Sequence, residues 1–487
     1  MASETARQAF AFFTLAAGLS LLAGCGESET GPIAVSAIGG PPLAGNPNLQ
    51  LLDAPSAFLA EAAAQGLVRF DSAGEIEPAL AQSWIVSDDG LRYTFRVRRT
   101  QWADGSRVTA EQVASRLRAA VSRASRNPLK PVLGVVENVV AMTDQVLEIS
   151  LRGPRPNLLQ LLAQPEMAIR LDGRGTGPYR EAPGPGGAIL LSVPRPDEDE
   201  EPSPELPDIL LRGESAAFAV ARFAAGEAEL VAGGTIGSLP IARAAGVAQA
   251  QLLFDPAAGL FGLAFTAAED GPLADPAVRR AMSMAIDRQG LVAALGVPGL
   301  QPRTGLVPVI ADELPRAAAA DWAAAPLPMR RQLAERTIAD LDEKPRVRVA
   351  MPDGPGYRLL FAYLRRDWRL IGVEADRVAP DAPAELRMID SVAPAMLASW
   401  YLRHFACDTG RVCDPAADQA LEAARVAPSQ AERQARLAEA AAILSGATPF
   451  ITLASPVRWS LVAPRLTGFR PNLFSRHPAG TLIAEDF

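Results

Sequence analysis

Alternating apolar and polar residues predict a β-hairpin in the first quarter of the chain. From Leu91 to Arg98, Leu, Tyr, Phe and Val alternate with Arg and Thr. Because successive side chains of a strand point to opposite faces, this pattern indicates a strand with one buried face. The preceding run Trp84–Val86 and the turn residues Ser87–Gly90 complete the hairpin signal, and Asp144 to Leu151 indicates another strand.

Several helix starts are recognisable from the residues that cap a first turn. Thr109–Gln112 and Ser429–Glu432 each place a hydroxyl residue three positions before Gln or Glu. At Asp275-Pro276 an acidic N-cap precedes a proline, whose fixed φ suits the first helical position. Apolar residues recur at helical spacing after each start, so we expect amphipathic helices there.

A crossover between parallel strands is predicted in the second half of the chain. Arg346 to Ala350 and Val373 to Val378 have strand character. Between them a helical pattern runs through Leu360 and Trp368 and stops at Gly372. A strand–helix–strand unit of this kind belongs to a partly parallel sheet covered by helices, so the predicted fold class is α/β.

The first segment has the pattern of an export signal. An apolar run of about fourteen residues from Ala9 to Leu22 fits a signal peptide and is too short for a membrane span of roughly 20 residues. It ends in Leu22-Ala23-Gly24-Cys25, which resembles a bacterial lipobox. We therefore predict a signal peptide over 1–24, lipidation of Cys25 and a small, polar tether over 25–32; the alternative is an ordinary signal peptide with a chance cysteine.

Export changes the interpretation of the other two cysteines. Cys407 and Cys413 enclose a short segment that contains a glycine. In an oxidising compartment such a pair favours a disulfide over a metal site. A zinc site would need further ligands, and the chain has only His404 and His477 and no second cysteine pair.

Charge and motifs argue against two other classes of protein. A net charge of −8 leaves no basic surface for nucleic acid. The chain has no Gly-x-Ser-x-Gly elbow, no P-loop and no His-Glu-x-x-His motif, and Gly173-x-Gly175-x-Gly177 lacks dinucleotide spacing. His404 is available as a base, but a lone histidine is more simply a packing residue. We expect no enzyme, no catalytic residue, no cofactor and no metal.

In their order along the chain, these pieces resemble the large solute-binding proteins of oligopeptide and dipeptide ABC importers, solute-binding protein family 5. The similarity extends over most of the chain after the predicted signal peptide. The strings that carry it include Gly66-Leu67-Val68-Arg69, Glu77-Pro78-Ala79-Leu80, Trp102-Ala103-Asp104-Gly105, Gly175-Thr176-Gly177-Pro178-Tyr179, Asp275-Pro276-Ala277-Val278, Ala285-Ile286-Asp287-Arg288 and His477-Pro478.

The resemblance implies a two-lobed periplasmic-binding-protein fold of the large peptide-binding type. Its first lobe is split into two subdomains, and its second lobe is inserted between the parts of the first. The implied ranges are 33–52, 170–258 and 466–487 for the main subdomain of the first lobe, 53–169 for its second subdomain and 259–465 for the second lobe. The chain is expected to cross between lobes near Gly259 and Arg465.

The resemblance also suggests where solute would bind, although the family pattern departs here. Peptide binders of the family carry a Gly-Trp and then an Asp for the ligand's α-ammonium, and that Asp falls near Ala393. Asp390 is the only acid nearby, so it either replaces the anchor or simply ends a strand. Trp400 and Tyr401 are predicted for the second-lobe wall, and Asp53, within Leu51 to Ala54, for the first-lobe wall.

The implied function is capture of peptides, or a related solute, outside the inner membrane for delivery to an importer. The expected partners are a permease and ATPase subunits, with the membrane reached through the lipid anchor in the periplasm, and the chain is expected to be a monomer. One alternative is a sensory or accessory lipoprotein of the same fold. A second is a binder of a non-peptide solute such as a glycan or metal chelate.

Overall fold

The computed structural model describes residues 31–194, 206–268, 270–309, 314 and 319–484. The predicted signal peptide and Cys25 lie outside the described residues.

The strands within these ranges are β1 (Ile33–Ile38), β2 (Val68–Phe70), β3 (Ile76–Pro78), β4 (Ala81–Val86), β5 (Arg92–Val97), β6 (Val136–Thr143), β7 (Val146–Leu151), β8 (Arg180–Pro183), β9 (Ile189–Ser192), β10 (Ile209–Glu214), β11 (Leu230–Thr235), β12 (Leu252–Asp255), β13 (Gly259–Phe265), β14 (Arg346–Ala350), β15 (Glu374–Val378), β16 (Leu386–Val392), β17 (Phe450–Ala454) and β18 (Arg458–Val462). The helices are α1 (Ala54–Ala63), α2 (Ala110–Val121), α3 (Lys130–Leu133), α4 (Leu158–Leu162), α5 (Ala216–Ala224), α6 (Leu239–Ala244), α7 (Pro276–Met284), α8 (Arg288–Leu295), α9 (Leu327–Ala339), α10 (Pro355–Arg369), α11 (Ala398–Arg403), α12 (Pro415–Arg425) and α13 (Gln430–Ala447).

A seven-stranded mixed sheet forms the centre of the first lobe, in the order β12-β18-β11-β1-β10-β9-β8. β1 is parallel to β10 and β11, whereas β18 is antiparallel to β11 and β12. Helix α1 packs on this sheet through Phe58 and Leu59, which share a buried cluster with Ile33 and Val35 of β1. The helix is therefore held against the sheet by its own apolar side chains.

A four-stranded antiparallel sheet, β4-β5-β7-β6, forms the second subdomain. Its first two strands are the predicted hairpin, and Tyr93, Phe95 and Val97 on the apolar face of β5 are buried. Helix α2 begins at the predicted capping box, in which Thr109 accepts a hydrogen bond from the Gln112 backbone. The hairpin and the helix start are thus confirmed.

The second lobe contains a five-stranded sheet in the order β15-β14-β16-β13-β17. β14 and β15 are parallel and are joined by α10, as the crossover pattern predicts. Asp275 caps α7 through the Ala277 amide, and Ser429 caps α13 through the Glu432 amide. The predictions of these elements are confirmed, and the molecule has the predicted two-lobed α/β fold.

Two short segments connect the sheets of the two lobes. The chain passes from β12 to β13 through 256–258 and returns from β17 to β18 through 455–457. Because β12 pairs with β18 and β13 pairs with β17, the two crossings lie side by side. Paired crossings of this kind can act as a hinge, since few backbone angles need to change when the lobes move.

Two features of the sheet pairing differ from the ranges implied by the resemblance. β18 belongs to the first sheet although the range 259–465 assigns it to the second lobe, because it pairs with β11 immediately after the second crossing. Helix α1 packs on the first sheet although the range 53–169 assigns it to the second subdomain. In both cases an apolar segment packs on, or pairs with, strands of the first sheet that are distant from it in sequence.

The lobes also contact each other away from the crossings. The Gln164 side chain donates a hydrogen bond to the Pro394 carbonyl, and Gln160 accepts one from the Met396 amide. On the other side, the Gly356 amide at the start of α10 donates to the Gly237 carbonyl. These bonds join the second lobe to both parts of the first.

Candidate functional site

A cavity of about 460 Å³ lies beside the two crossings and is bordered by both large sheets. Its walls come from α1, β11, β16, β18 and the segment near the C-terminal end. The lining residues include Leu52, Asp53, Ala57, Phe58, Glu61, Glu166, Gly233, Asp390, Val392, Arg458, Phe474, Arg476 and His477. This cavity, which we call the cleft, has the size and position expected of a small-molecule or peptide site between two lobes.

Asp53 lies in the cleft wall, within the predicted segment from Leu51 to Ala54. Its Oδ1 accepts a hydrogen bond of 3.0 Å from the Ser56 amide, so it is the N-cap of α1. Its Oδ2 accepts one of 2.9 Å from the Gly40 amide. Both oxygens are used by the backbone, and contact between Asp53 and solute remains a prediction.

Asp390 also borders the cleft, but its charge is balanced within the protein. The Arg458 guanidinium donates to its Oδ1 at 2.6 Å, and the Tyr357 hydroxyl donates to its Oδ2 at 2.7 Å. Burial and the adjacent Asp390 charge raise the pKa of Tyr357, so the phenol stays a donor. Asp390 lies within β16 and not at its end, and this pairing makes it a poor anchor for a ligand cation.

Trp400 and Tyr401 are not in the cleft wall. Both lie on α11, and their rings form an edge-to-face pair with centroids 4.9 Å apart. Tyr401 is completely buried and Trp400 is 8% exposed, in a cluster shared with α4 and α13. The prediction that they form the solute wall is not supported by this placement, because α11 turns both rings towards the interior.

His404 follows α11 at its C-terminal end and packs against the side chains of that helix. Its ring meets the Trp400 ring edge to face, with centroids 4.4 Å apart, and its Nδ1 lies 2.9 Å from the Trp400 carbonyl oxygen. Burial lowers the pKa of His404 to about 4, so its imidazole is neutral at ordinary pH.

A disulfide joins Cys407 and Cys413, as the sequence predicts. It closes the loop between α11 and α12, and the Cys407 amide donates to Asp418 of α12. Among the described residues, no group of three or more His, Cys, Asp or Glu is arranged to hold a metal ion. The disulfide and the hydrogen bond to Asp418 together fix this loop of the second lobe as a covalently closed turn.

Four charged residues of the cleft were not identified from the sequence: Arg458, described above, and Glu61, Glu166 and Arg476. Glu61 is on the cleft side of α1, Glu166 is in a 3₁₀ turn at Pro165–Met167, and Arg476 is near the C-terminal end. Arg476 Nη2 lies 3.7 Å from Glu166 Oε2. The available signal was Glu61 itself, since it is the only charged residue in the otherwise apolar and small helix Ala54–Ala63.

The glycine-rich motif supports α1 and does not form a cofactor loop. The Gly177 amide donates to the Ala63 carbonyl, and the Tyr179 amide donates to the Ala62 carbonyl. A Cβ atom at Gly175 would come within 2.1 Å of the Ala63 oxygen. The motif therefore packs backbone against backbone at the end of α1, two residues after Glu61.

Comparison with known proteins agrees with this architecture. An alignment of 448 positions with the probable ABC transporter periplasmic-binding protein SapA of Escherichia coli (strain K12) shows 25% identity and covers 78% of this chain and 79% of that protein. A shorter stretch of 121 residues is 31% identical to the probable deoxycholate-binding periplasmic protein YgiS of the same strain, covering 21% of this chain and only 23% of that relative.

Solved structures show the same fold. The complex of Haemophilus influenzae OppA with RPPGFSPFR superposes with a TM-score of 0.78 at 16% identity, covering 92% of this chain and 98% of that chain. The Escherichia coli murein tripeptide binding protein MppA gives 0.77 at 18% identity, covering 93% and 98%. The model of the bacterial extracellular solute-binding proteins, family 5, matches residues 75–406. Since this match covers more than half of the chain, the protein belongs to the family 5 bacterial extracellular solute-binding proteins.

Proposed function

We propose that this protein is the solute-binding component of an ABC importer and that it captures peptides in the cleft and delivers them to a permease. The observation that carries the proposal is the position of the cleft, which both lobes line beside a paired crossing. Closure over a solute is favoured because only the closed state contacts the solute from both sides. Two similar proteins support this proposal. SapA is described as a probable periplasmic-binding protein of an ABC transporter, and the OppA structure contains the peptide RPPGFSPFR.

Peptides suit such a cleft for a physical reason. Their main-chain groups can bond to the lobes whatever their side chains are, and ordered water can fill spaces left by small side chains. We therefore propose broad specificity for short peptides.

Saturation with a short peptide is expected to stabilise the protein and to close it. At a free concentration of 100 times Kd, binding adds about 2.7 kcal/mol to the free energy of unfolding. Titration calorimetry with tripeptides to pentapeptides gives Kd, and X-ray scattering before and after saturation measures closure as a smaller radius of gyration. A disaccharide of similar mass tests the glycan alternative; binding of the disaccharide without binding of any peptide would refute peptide capture.

For the organisation of the lobes, we propose boundaries that follow sheet membership. The first lobe would comprise 31–255 and 458–484, with its second subdomain built around β4–β7, and the second lobe 259–454. This differs from the resemblance-based ranges by moving β18 and α1 into the main subdomain, where their pairing and packing support them.

We also propose a lipid anchor at Cys25, outside the inner membrane. The support is Leu22-Ala23-Gly24-Cys25 directly after an apolar run, together with the extracellular character of the family. None of the helices in the described part of the chain has the length and hydrophobicity of a membrane span.

Cys25→Ser is expected to move the protein from the detergent phase to the aqueous phase. The acyl chains are attached to the Cys25 thiol and N-terminus, so the variant has no site for them. Detergent partition and intact-mass measurement of protein from its native host test this. Wild-type protein that starts before Cys25, or that carries no acyl mass, would refute the anchor.

A further inference from the structure

The acidic residues that line the cleft fall into two groups. Asp390 is paired with Arg458, and both oxygens of Asp53 accept backbone hydrogen bonds. The charges of Glu61 and Glu166 are not balanced in this way. The cleft thus contains two carboxylates whose partners within the protein are weak.

Glu61 and Glu166 have few donors around them. Within the described part of the chain, no residue donates a hydrogen bond to the Glu61 carboxylate. Glu166 Oε2 is fully buried and likewise accepts no hydrogen bond; its nearest cation is Arg476 Nη2 at 3.7 Å. The Arg476 Nε is directed to Gln164, at 3.1 Å from its Oε1. A buried carboxylate oxygen without a donor is costly unless a ligand supplies one.

We propose that Glu61 and Glu166 form a cation-binding site in the cleft and take the ammonium group of the solute. This inference rests on the proposed function and makes it more specific, because it selects solutes that carry a positive charge. It assigns ammonium recognition to the first lobe, and not to Asp390.

The charge balance favours an ammonium group as the missing partner. Two carboxylates face one guanidinium, which leaves an excess of one negative charge when both are ionised. The His477 ring, which also lines the cleft, lies 3.2 Å from the buried Asp255 carboxylate. An ammonium group has three donors, so it can bond to both carboxylates at once with charge-assisted hydrogen bonds.

The pKa of Glu61 is consistent with this site. The pKa of Glu61 is raised to about 7, mainly by burial; Arg476 opposes this shift, Glu166 contributes to it, and His477 opposes it weakly. A bound cation would favour the ionised form. Binding near pH 6.5 should therefore release protons from Glu61 to the buffer.

Calorimetry with three peptides tests the inference and separates two sources of ammonium. Trialanine carries an α-ammonium, N-acetyl-Lys-Ala-Ala carries only a side-chain ammonium, and N-acetyl-trialanine carries neither. We expect trialanine or the lysine peptide to bind at least about tenfold more tightly than N-acetyl-trialanine, as one charge-assisted hydrogen bond provides.

Glu61→Gln and Glu166→Gln are each expected to remove most of this preference, about tenfold in Kd, and to change the affinity for N-acetyl-trialanine by much less. Glu75→Gln, at an exposed glutamate of the same lobe, controls for the lost charge. Proton release, measured in buffers of different ionisation enthalpy, should also disappear in Glu61→Gln. If Glu61 had only a structural role, Glu61→Gln would leave the number of protons released on binding unchanged.

The pH dependence follows from the ionisation of Glu61. The charged and titratable groups that line the cleft with it are Glu166, Arg476, His477, Asp53, Asp390 and Arg458, and Arg69 lines a second cavity that Glu61 also borders. Protonation of Glu61 competes with the cation, so affinity for the preferred peptide should rise on the order of tenfold from pH 5.5 to 7, below the α-ammonium pKa of about 7.7. This rise should be absent in Glu61→Gln.

The outcomes distinguish this inference from the proposed function. If peptides bind but neither acetylation nor Glu61→Gln changes Kd, the cation site is refuted and peptide capture stands. If no peptide binds but 1,5-diaminopentane binds in a Glu61-dependent way, the cation site stands and peptide capture fails. If neither peptides nor the diamine bind, both are refuted.

Discussion

Arg458→Ala is expected to lower the free energy of unfolding by about 3 to 5 kcal/mol, the cost of leaving one member of a buried ion pair without its partner. Asp390 is 6% exposed and Arg458 14% exposed at the side chain, and their closest atoms are 2.6 Å apart. Arg458 Nη2 also donates to the Asp390 carbonyl at 3.0 Å. The pair connects β16 of the second lobe to β18 of the first, so its loss should also loosen the lobes.

Urea denaturation of a double-mutant cycle measures this coupling. The variants are Arg458→Ala, Asp390→Asn and the double variant, which should lose less than the sum of the single losses because no charge remains unpaired. Arg346→Ala is the control, since its pair with Asp376 is largely exposed and should contribute less than about 1 kcal/mol. Equal losses in Arg458→Ala and Arg346→Ala would contradict the prediction.

Gly177→Ala is expected to destabilise the protein by about 3 kcal/mol and to weaken solute binding, since overpacking costs about 1 to 3 kcal/mol and contact with rigid backbone atoms places this case at the upper end. A Cβ atom at this position would lie 2.4 Å from the Ala62 oxygen, 2.5 Å from the Ala63 carbonyl carbon and 2.6 Å from the Ala64 nitrogen. All three are backbone atoms, so they cannot move without moving the end of α1 and Glu61 with it.

Gly446→Ala is the matched control for the glycine substitution. Gly446 lies in α13, and a Cβ atom there has no heavy atom within 4 Å. Alanine should therefore stabilise this helix by about 0.5 to 1 kcal/mol. Thermal unfolding and peptide titration of both variants test the prediction. Unchanged stability and affinity in Gly177→Ala would show that α1 is not held by this contact.

Local elements were predictable because their signals involve neighbours in sequence. The alternation in β5, the capping box at Thr109 and the crossover through α10 each depend on residues that are close in the chain. The cysteine pair was predictable for the same reason. Sheet membership was not, because β18 resembles any apolar strand until it pairs with β11, which is distant in sequence.

The structure places the residues predicted for the solute site in different parts of the molecule, and their contact with solute stays a prediction. Asp53 and Asp390 were predicted and do border the cleft. Their sequence context could not show that Arg458 and Tyr357 would satisfy Asp390 from other elements. Trp400 and Tyr401 are near Asp390 in sequence, yet the helix α11 carries both rings into the core.

By itself the sequence determined the α/β fold class, the family resemblance and the starts of the main helices, because periodicity, capping and turn chemistry are local. Only the tertiary structure decided which charges in the cleft are balanced. Glu61, Glu166 and Arg476 come from three segments far apart in the chain, and their interaction depends on distance and burial after folding. A carboxylate's partner is a property of the assembled lobes, so no pattern along the chain could assign it.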